Sequence, residues 1–180
     1  MSYSLDPITA NCYPDSTVLI NKLNIHDEIL LNEVEATLVS AKTVLWGNAP
    51  LVTTFDFLHY KAIHKFLFED LYEWAGQIRN VNISKKGTRF CPHDELEELA
   101  HRIFFRLYEQ ELFVNTDRER FVSEIVDFYC LTNQLHPFRE GNGRTQRIFV
   151  NELAVNAGYS DFDFSKVDGD LLMIATLSLN

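Results

Sequence analysis

From Asp27 to Leu45, apolar residues fall at Leu30, Val34, Leu38, Ala41 and Leu45. Steps of three and four predict an amphipathic helix, and Gly47, Asn48 and Pro50 predict its end. From about Thr54 to Trp74 the chain is apolar round most of a helical circumference. Leu58, Ala62, Ile63, Phe66, Leu67, Leu71 and Trp74 are expected inside, while Lys61, Lys65, Glu69 and Glu73 form the main polar stripe with Asp70 beside it. A helix with so narrow a polar face belongs at the centre of the packing. The stripe reads as a solvated face carrying a Lys65–Glu69 pair, which has little energetic weight.

The period changes after Gly76. Val81 and Ile83 alternate with Asn80, Asn82 and Ser84, then Lys85, Lys86 and Gly87 precede Thr88, Arg89 and Phe90. Alternation, a glycine turn and a second short run predict a β-hairpin. A lone hairpin is marginal unless it rests on a larger body. Helical spacing then returns. Asp94 with Glu97 predicts a capping box ahead of Leu96, Leu99, Ala100, Ile103, Phe104 and Leu107. Thr116 with Glu119 predicts another, ahead of Phe121, Val122, Ile125, Phe128, Tyr129 and Thr132. Residues 1–26, with Pro7 and Pro14, read as an irregular arm, and 27–180 as one all-α domain with a single hairpin.

Composition narrows the class. At 180 residues, 46% of them apolar and fourteen of them Phe, the chain is long enough for one real core. A formal charge of −10 argues against nucleic acid as a partner, because that needs a basic surface to displace counterions. Cys12, Cys91 and Cys130 have no paired spacing and read as free thiols. Neither a signal-like N-terminus nor a membrane-length apolar run is evident, so a cytoplasmic location is expected, with delivery into another cell left open.

The chemistry concentrates in His136-Pro137-Phe138-Arg139-Glu140-Gly141-Asn142-Gly143-Arg144-Thr145-Gln146-Arg147. Pro137 disfavours helical dihedrals at His136, so a helix should stop there and leave an imidazole in a loop. Gly141, Asn142 and Gly143 tolerate positive φ, which lets several backbone N–H groups turn to one point. A helix is expected from Arg144, with Ile148, Phe149 and Leu153 inward. Its start adds unpaired donors and partial positive charge, a setting that holds phosphate. Arg144 and Arg147, one turn apart, suit the outer phosphates of a nucleotide. Glu140 is costly beside phosphate unless a cation intervenes, which fits Mg²⁺. Phe138 anchors the loop in the core.

Each of these residues alone has a structural explanation: a capping histidine, a common turn, solvated arginines. His136 and Glu140 stand four apart, but Pro137 and the glycines spoil the helix that a metal pair at that spacing requires. Nor is the segment a P-loop, since Gly-Lys-Ser/Thr is absent. The conjunction within one short segment carries the weight.

That segment resembles the signature of the Fic (filamentation-induced by cAMP) family: His-Pro-Phe, any residue, Asp or Glu, Gly-Asn-Gly-Arg, two of any kind, Arg. Every defined position is met. Leu71-Tyr72-Glu73-Trp74-Ala75-Gly76-Gln77-Ile78-Arg79 is also similar to the family's approach to its hairpin, the flap, and Tyr13-Pro14 with Asn21-Lys22-Leu23 is similar to bacterial members. The resemblance implies a Fic-type helical domain with its core at about 54–160 and its flap at about 78–91.

It further implies a protein adenylyltransferase with ATP as co-substrate. His136 is then the base for a Tyr, Thr or Ser hydroxyl that attacks the α-phosphate, and pyrophosphate leaves. Glu140 holds Mg²⁺; Gly141, Asn142 and Gly143 form the anion hole; Arg144 and Arg147 steady the β- and γ-phosphates. The target protein lies along the flap by strand addition. Lys85 and Lys86, at its tip, stand either near the nucleotide or in a simple solvated turn. Two alternatives are a Fic-fold transferase of another phosphate-containing group and a non-catalytic interaction module. Many family members carry an inhibitory Ser/Thr-x-x-x-Glu-Gly/Asn segment, which has no match here. It is expected either in a separate antitoxin-like protein or in a further C-terminal helix.

Overall fold

The computed structural model describes residues 11–48, 54–85 and 88–164. Among them lie α1 (Glu28–Gly47), α2 (Phe57–Phe68), β1 (Ser84–Lys85), β2 (Thr88–Arg89), α3 (Leu96–Glu109), α4 (Arg118–Leu135) and α5 (Asn142–Asn156). Three helices start on an aspartate. Asp27, Asp56 and Asp117 accept from the N–H of Leu30, His59 and Arg120, each satisfying a donor that the first turn leaves over. The two predicted capping boxes do not form. A 3-10 turn, His93–Glu95, leads into α3, which begins at Leu96 without a side-chain cap, and Asn82 Oδ1 receives the His93 N–H at 2.9 Å. Thr116 Oγ1 donates to Phe113 O at 2.7 Å, leaving the cap of α4 to its neighbour Asp117.

α5 packs on α2 and α4, α3 on α4, and α1 on α2. The seam is aromatic. Tyr60, Phe104, Phe128 and Phe149 meet with centroids 5.4–5.7 Å apart, several edge to face, and Tyr60 stacks on Phe138 at 5.8 Å. Phe138 is fully buried, so the loop that follows α4 is pinned to the core by its own side chain, as its place between polar residues suggests.

The two N-terminal helices bury polar residues beside the apolar ones the spacing predicts: Ile63, Leu67 and Leu71 are buried as expected, and Val34, Leu38, Phe66 and Trp74 pack against the core. On α1 the buried residues are Leu31, Glu35 and Val39, whereas Leu30 and Leu45 are 48% and 60% exposed. A carboxylate occupies an inward position, so that face looks polar in the sequence. On α2 the inward residues are His59, Tyr60, Ile63, His64, Leu67 and Phe68, while Leu58 and Ala62 face out. Two buried histidines produce the same masking. α2 also stops at Phe68, six residues short of Trp74, in a series of turns. The reason is a side chain: His64 Nδ1 receives the Gly76 N–H at 2.8 Å, which requires the chain to fold back. The Lys65–Glu69 pair gives way to Lys42, which reaches Glu69 Oε1 at 3.3 Å and Asp70 Oδ2 at 2.6 Å.

The hairpin is shorter than the alternation from Ile78 suggests: Ser84 pairs with Arg89 and Lys85 with Thr88. Lys86 and Gly87 lie outside the described residues, as do Pro50 and the first ten residues of the arm. Residues 11–26 are irregular but tied down. Tyr13 stacks on His26 at 3.8 Å, and the Lys22 N–H donates to Leu71 O at 2.8 Å. The three cysteines are free thiols, and no helix among the described residues is long and apolar enough to cross a membrane.

Candidate active site

α4 ends at Leu135, and His136 adopts the left-handed conformation at φ 42, ψ 61. That is the break which the following proline imposes. Its ring stacks on Phe90, from the far side of the hairpin, at 3.7 Å. Nδ1 lies 3.3 Å from Asn133 O. A carbonyl only accepts, so Nδ1 carries the proton and Nε2 keeps its lone pair. Burial chiefly, with the Arg79 and Lys85 charges adding to it, holds His136 well below the usual histidine range, at about 3, against the opposing Asn133 carbonyl. The imidazole is therefore neutral and able to accept a proton.

Beyond Phe138 the chain turns on Gly141, which at φ 82 caps α5. The helix begins at Asn142, two residues before Arg144, so Asn142 and Gly143 lie in its first turn. Asn142 is buried, and its amide both receives the Phe138 N–H and donates to Phe138 O, each at 2.8 Å. That clamp fixes the loop and commits the side chain, so only the backbone N–H of Asn142 remains for a ligand. The Gly141 N–H is itself taken by Glu140 Oε1 at 2.8 Å. The first bond within the helix runs from Thr145 N to Gly141 O, which leaves the N–H groups of Asn142, Gly143 and Arg144 directed out of the helix start.

Arg144 Nη2 donates to Glu140 Oε1 at 3.2 Å. Arg147 reaches back along α5 toward its start, since a Cβ placed on Gly143 would stand 3.4 Å from its Nη1. Both arginines line an open cleft of about 480 Å³ with Thr43, Asn151 and Phe164. The Glu140 side chain is half exposed, and its bonds use Oε1, so the other carboxylate oxygen is available to a cation. One uncommitted carboxylate oxygen is the kind of donor Mg²⁺ takes, since it binds through one or two carboxylates plus phosphates and water. Lys85 ends β1 as an exposed residue close enough to lower the His136 pKa.

Two residues to which the sequence assigns no role in the site hold this arrangement. Arg79 is buried; its Nε donates to His136 O at 2.9 Å and its Nη2 to Cys91 O at 2.5 Å, while its N–H reaches Pro137 O at 2.8 Å. It staples the base of the hairpin to the histidine loop. His64, fully buried and stacked on Phe138 at 3.8 Å, accepts from Gly76 and lies 3.0 Å from Glu140 O through Nε2. A polar residue on a face otherwise lined by Ile63, Leu67 and Phe68 is the signal that could have revealed it.

Acid should unfold this protein early. Burial lowers His64 to about 4, as it lowers His136, whereas an exposed histidine titrates near 6.5. Below 6.5 the unfolded chain binds more protons than the folded one, so the stability these groups contribute is complete above 6.5 and drains as pH falls. Each contributes a slope of up to about 1.4 kcal/mol per pH unit. Urea unfolding at pH 7 and pH 5 should show the loss, and His136→Ala should flatten it by one group's share.

The model of the Fic/DOC family matches residues 54–154. The chain is 38% identical over 164 residues to a probable protein adenylyltransferase, y4lH, of Sinorhizobium fredii, covering 91% of this chain and 82% of that one. It is 39% identical over 150 residues to the probable protein adenylyltransferase Fic of Salmonella typhimurium, covering 82% and 73%. Among solved structures it is similar to the BepC effector of Bartonella tribocorum with bound AMPPNP. There the TM-score is 0.87 at 25% identity, over 94% of this chain and 88% of that one. A match to more than half of the chain, with relatives this similar over most of their length, settles the family: the chain belongs to the Fic/DOC family.

Proposed function

We propose that this chain is a protein adenylyltransferase that moves AMP from ATP to a Tyr, Thr or Ser hydroxyl of another protein. The observation that carries it is His136, with Nδ1 protonated against Asn133 O and Nε2 left to accept, at the mouth of a helix start built to hold phosphate. The adenylyltransferase names of the relatives and the AMPPNP in the BepC structure support the same reading.

In this mechanism the phosphates of ATP lie on the N–H groups of Asn142, Gly143 and Arg144, with the Arg144 and Arg147 guanidiniums on the outer ones. Glu140 is the residue that would hold Mg²⁺, which supplies charge neutralisation on the phosphates. The target hydroxyl oxygen bonds to the α-phosphorus while the bond to the β-phosphate oxygen breaks. His136 Nε2 takes the hydroxyl proton, and pyrophosphate leaves. Phosphoryl chemistry of this kind rests on positioning and electrostatics, which is what the loop provides. Lys85, which ends β1, and Lys86, next to it in sequence, are the hairpin residues that would approach the nucleotide. The target lies along the hairpin edge as an added strand. The inhibitory segment comes from a separate antitoxin-like protein or from a further C-terminal helix, and the protein works in the cytoplasm or after delivery into another cell.

Incubating the full chain and a cell lysate with ATP labelled on the α- or γ-phosphate tests the reaction. Label on protein from the α-position alone is expected. Label from the γ-position would make it a kinase, and no label at all a binding module.

A further inference from the structure

Arg144 is held from outside the segment that the family model matches. Its Nη2 donates to Glu35 Oε1 at 2.6 Å, and its guanidinium carbon lies 4.7 Å from the centroid of the Phe68 ring. Glu35 stands on α1, before residue 54 where the match begins, and is 7% exposed. Its second oxygen is also occupied: the Tyr72 hydroxyl donates to Oε2 at 2.5 Å. Burial first, and then this bond to Glu35, raise the Tyr72 pKa, so the phenol is a donor throughout. A buried carboxylate is costly unless its oxygens are paired. Both partners here belong to the site: Tyr72 sits in the turn that His64 folds back, and Arg144 in the first turn of α5.

The geometry separates holding from binding. Glu35 and Glu140 both engage Arg144 through Nη2, which leaves the donors on Nη1 and Nε uncommitted among the described residues. Phe68 stacks against the flat of the same group. A long arginine side chain on a surface helix samples many rotamers. One tied at Nη2 and backed by a ring presents its remaining donors in one orientation, and less freedom is lost when a phosphate arrives.

We propose that Glu35 is a positioning residue for the nucleotide: locked by Tyr72, its buried carboxylate fixes the Arg144 guanidinium in the pose that receives ATP's outer phosphates. This rests on the assignment of Arg144 to those phosphates. It makes α1 a working part of the site. A carboxylate at an otherwise apolar inward position of α1 is accounted for by that task, since packing alone would be served by leucine.

Calorimetric binding of an ATP analogue with an unreactive β–γ bridge, to the full-length chain, tests it. Four variants are needed: Glu35→Gln, Tyr72→Phe, Arg144→Ala and the Glu35→Gln/Arg144→Ala double. Glu35→Gln should weaken binding about tenfold, in line with loss of a charge-assisted bond. Tyr72→Phe, which keeps the charge and the ring packing, should weaken it by a smaller factor, about threefold. In the Arg144→Ala background Glu35→Gln should add nothing, because the two act through one group. In steady state the loss should fall on KM for ATP, with kcat nearly unchanged, and a general loss of folding would not divide in that way. Unchanged or tighter binding by Glu35→Gln would overturn the proposal, the latter showing that Glu35 withholds Arg144. Equal losses in both backgrounds would overturn it too. If the unaltered chain fails to bind the analogue, the adenylyltransferase reading falls instead.

Discussion

Replacing His136 with alanine is expected to slow AMP transfer by a factor of roughly 10² to 10⁴, the range a positioned general base contributes. Nucleotide affinity should stay close to that of the unaltered chain, because the phosphate donors belong to α5 and its arginines. The loss therefore belongs in kcat. A pH profile sharpens the expectation. In the free protein the imidazole is held near 3 by burial and by the Arg79 and Lys85 charges, so kcat/KM should show no acid limb from this group between pH 5 and 8. Bound ATP brings negative charge beside the ring and favours its protonated form, so the acid limb of kcat should lie at higher pH. Transfer that continues undiminished in His136→Ala, measured with α-labelled ATP, would remove the mechanism proposed above.

The loop was legible because its constraints are local. Pro137 acts on the residue before it whatever the surroundings, and α4 does stop at Leu135. Phe138, apolar between polar neighbours, had one place to go, and it is fully buried. The helical class followed from spacing that holds over several turns. What escaped was set by distant partners. Glu35 reads as a solvent-facing residue of α1 until Arg144 and Tyr72 are brought to it from more than thirty residues away in sequence. His59 and His64 are buried on α2 beside the expected Ile63 and Leu67, so that face looks less apolar in the sequence than it is in the fold. The predicted capping boxes do not form because the helices start elsewhere: a 3-10 turn leads into α3 at Leu96, and Asp117, one residue past Thr116, caps α4. As a loop residue Asn142 is expected in the anion hole, yet its amide is spent on Phe138, leaving only the backbone N–H for that purpose.

Gly141→Ala should be the most destabilising single-methyl change in the loop. The residue sits at φ +82, where an added Cβ costs about 1–2 kcal/mol in backbone strain. That Cβ would also stand 2.4 Å from both Cε2 and Cζ of Phe68, inside any tolerable contact. Phe68 cannot yield cheaply. It is fully buried, with His64 stacked at 4.7 Å and the Arg144 guanidinium at the same distance from its ring. Relief would displace the histidine that binds Glu140 O or the arginine assigned to phosphate. Overpacking of this kind adds about 1–3 kcal/mol, so a total of roughly 2–5 kcal/mol is expected, a large share of a typical domain's stability. Gly143→Ala is the contrast within the same motif. Its backbone is already helical, and the new methyl meets nothing closer than Arg147 Nη1 at 3.4 Å. Alanine is also the better helix former there, by up to about 1 kcal/mol. Urea unfolding of the two variants should therefore separate them widely, with Gly143→Ala close to the unaltered chain. Equal midpoints would mean that the turn does not pass over Phe68 as described, and the placement of the α5 start over the nucleotide's phosphates would lose its support.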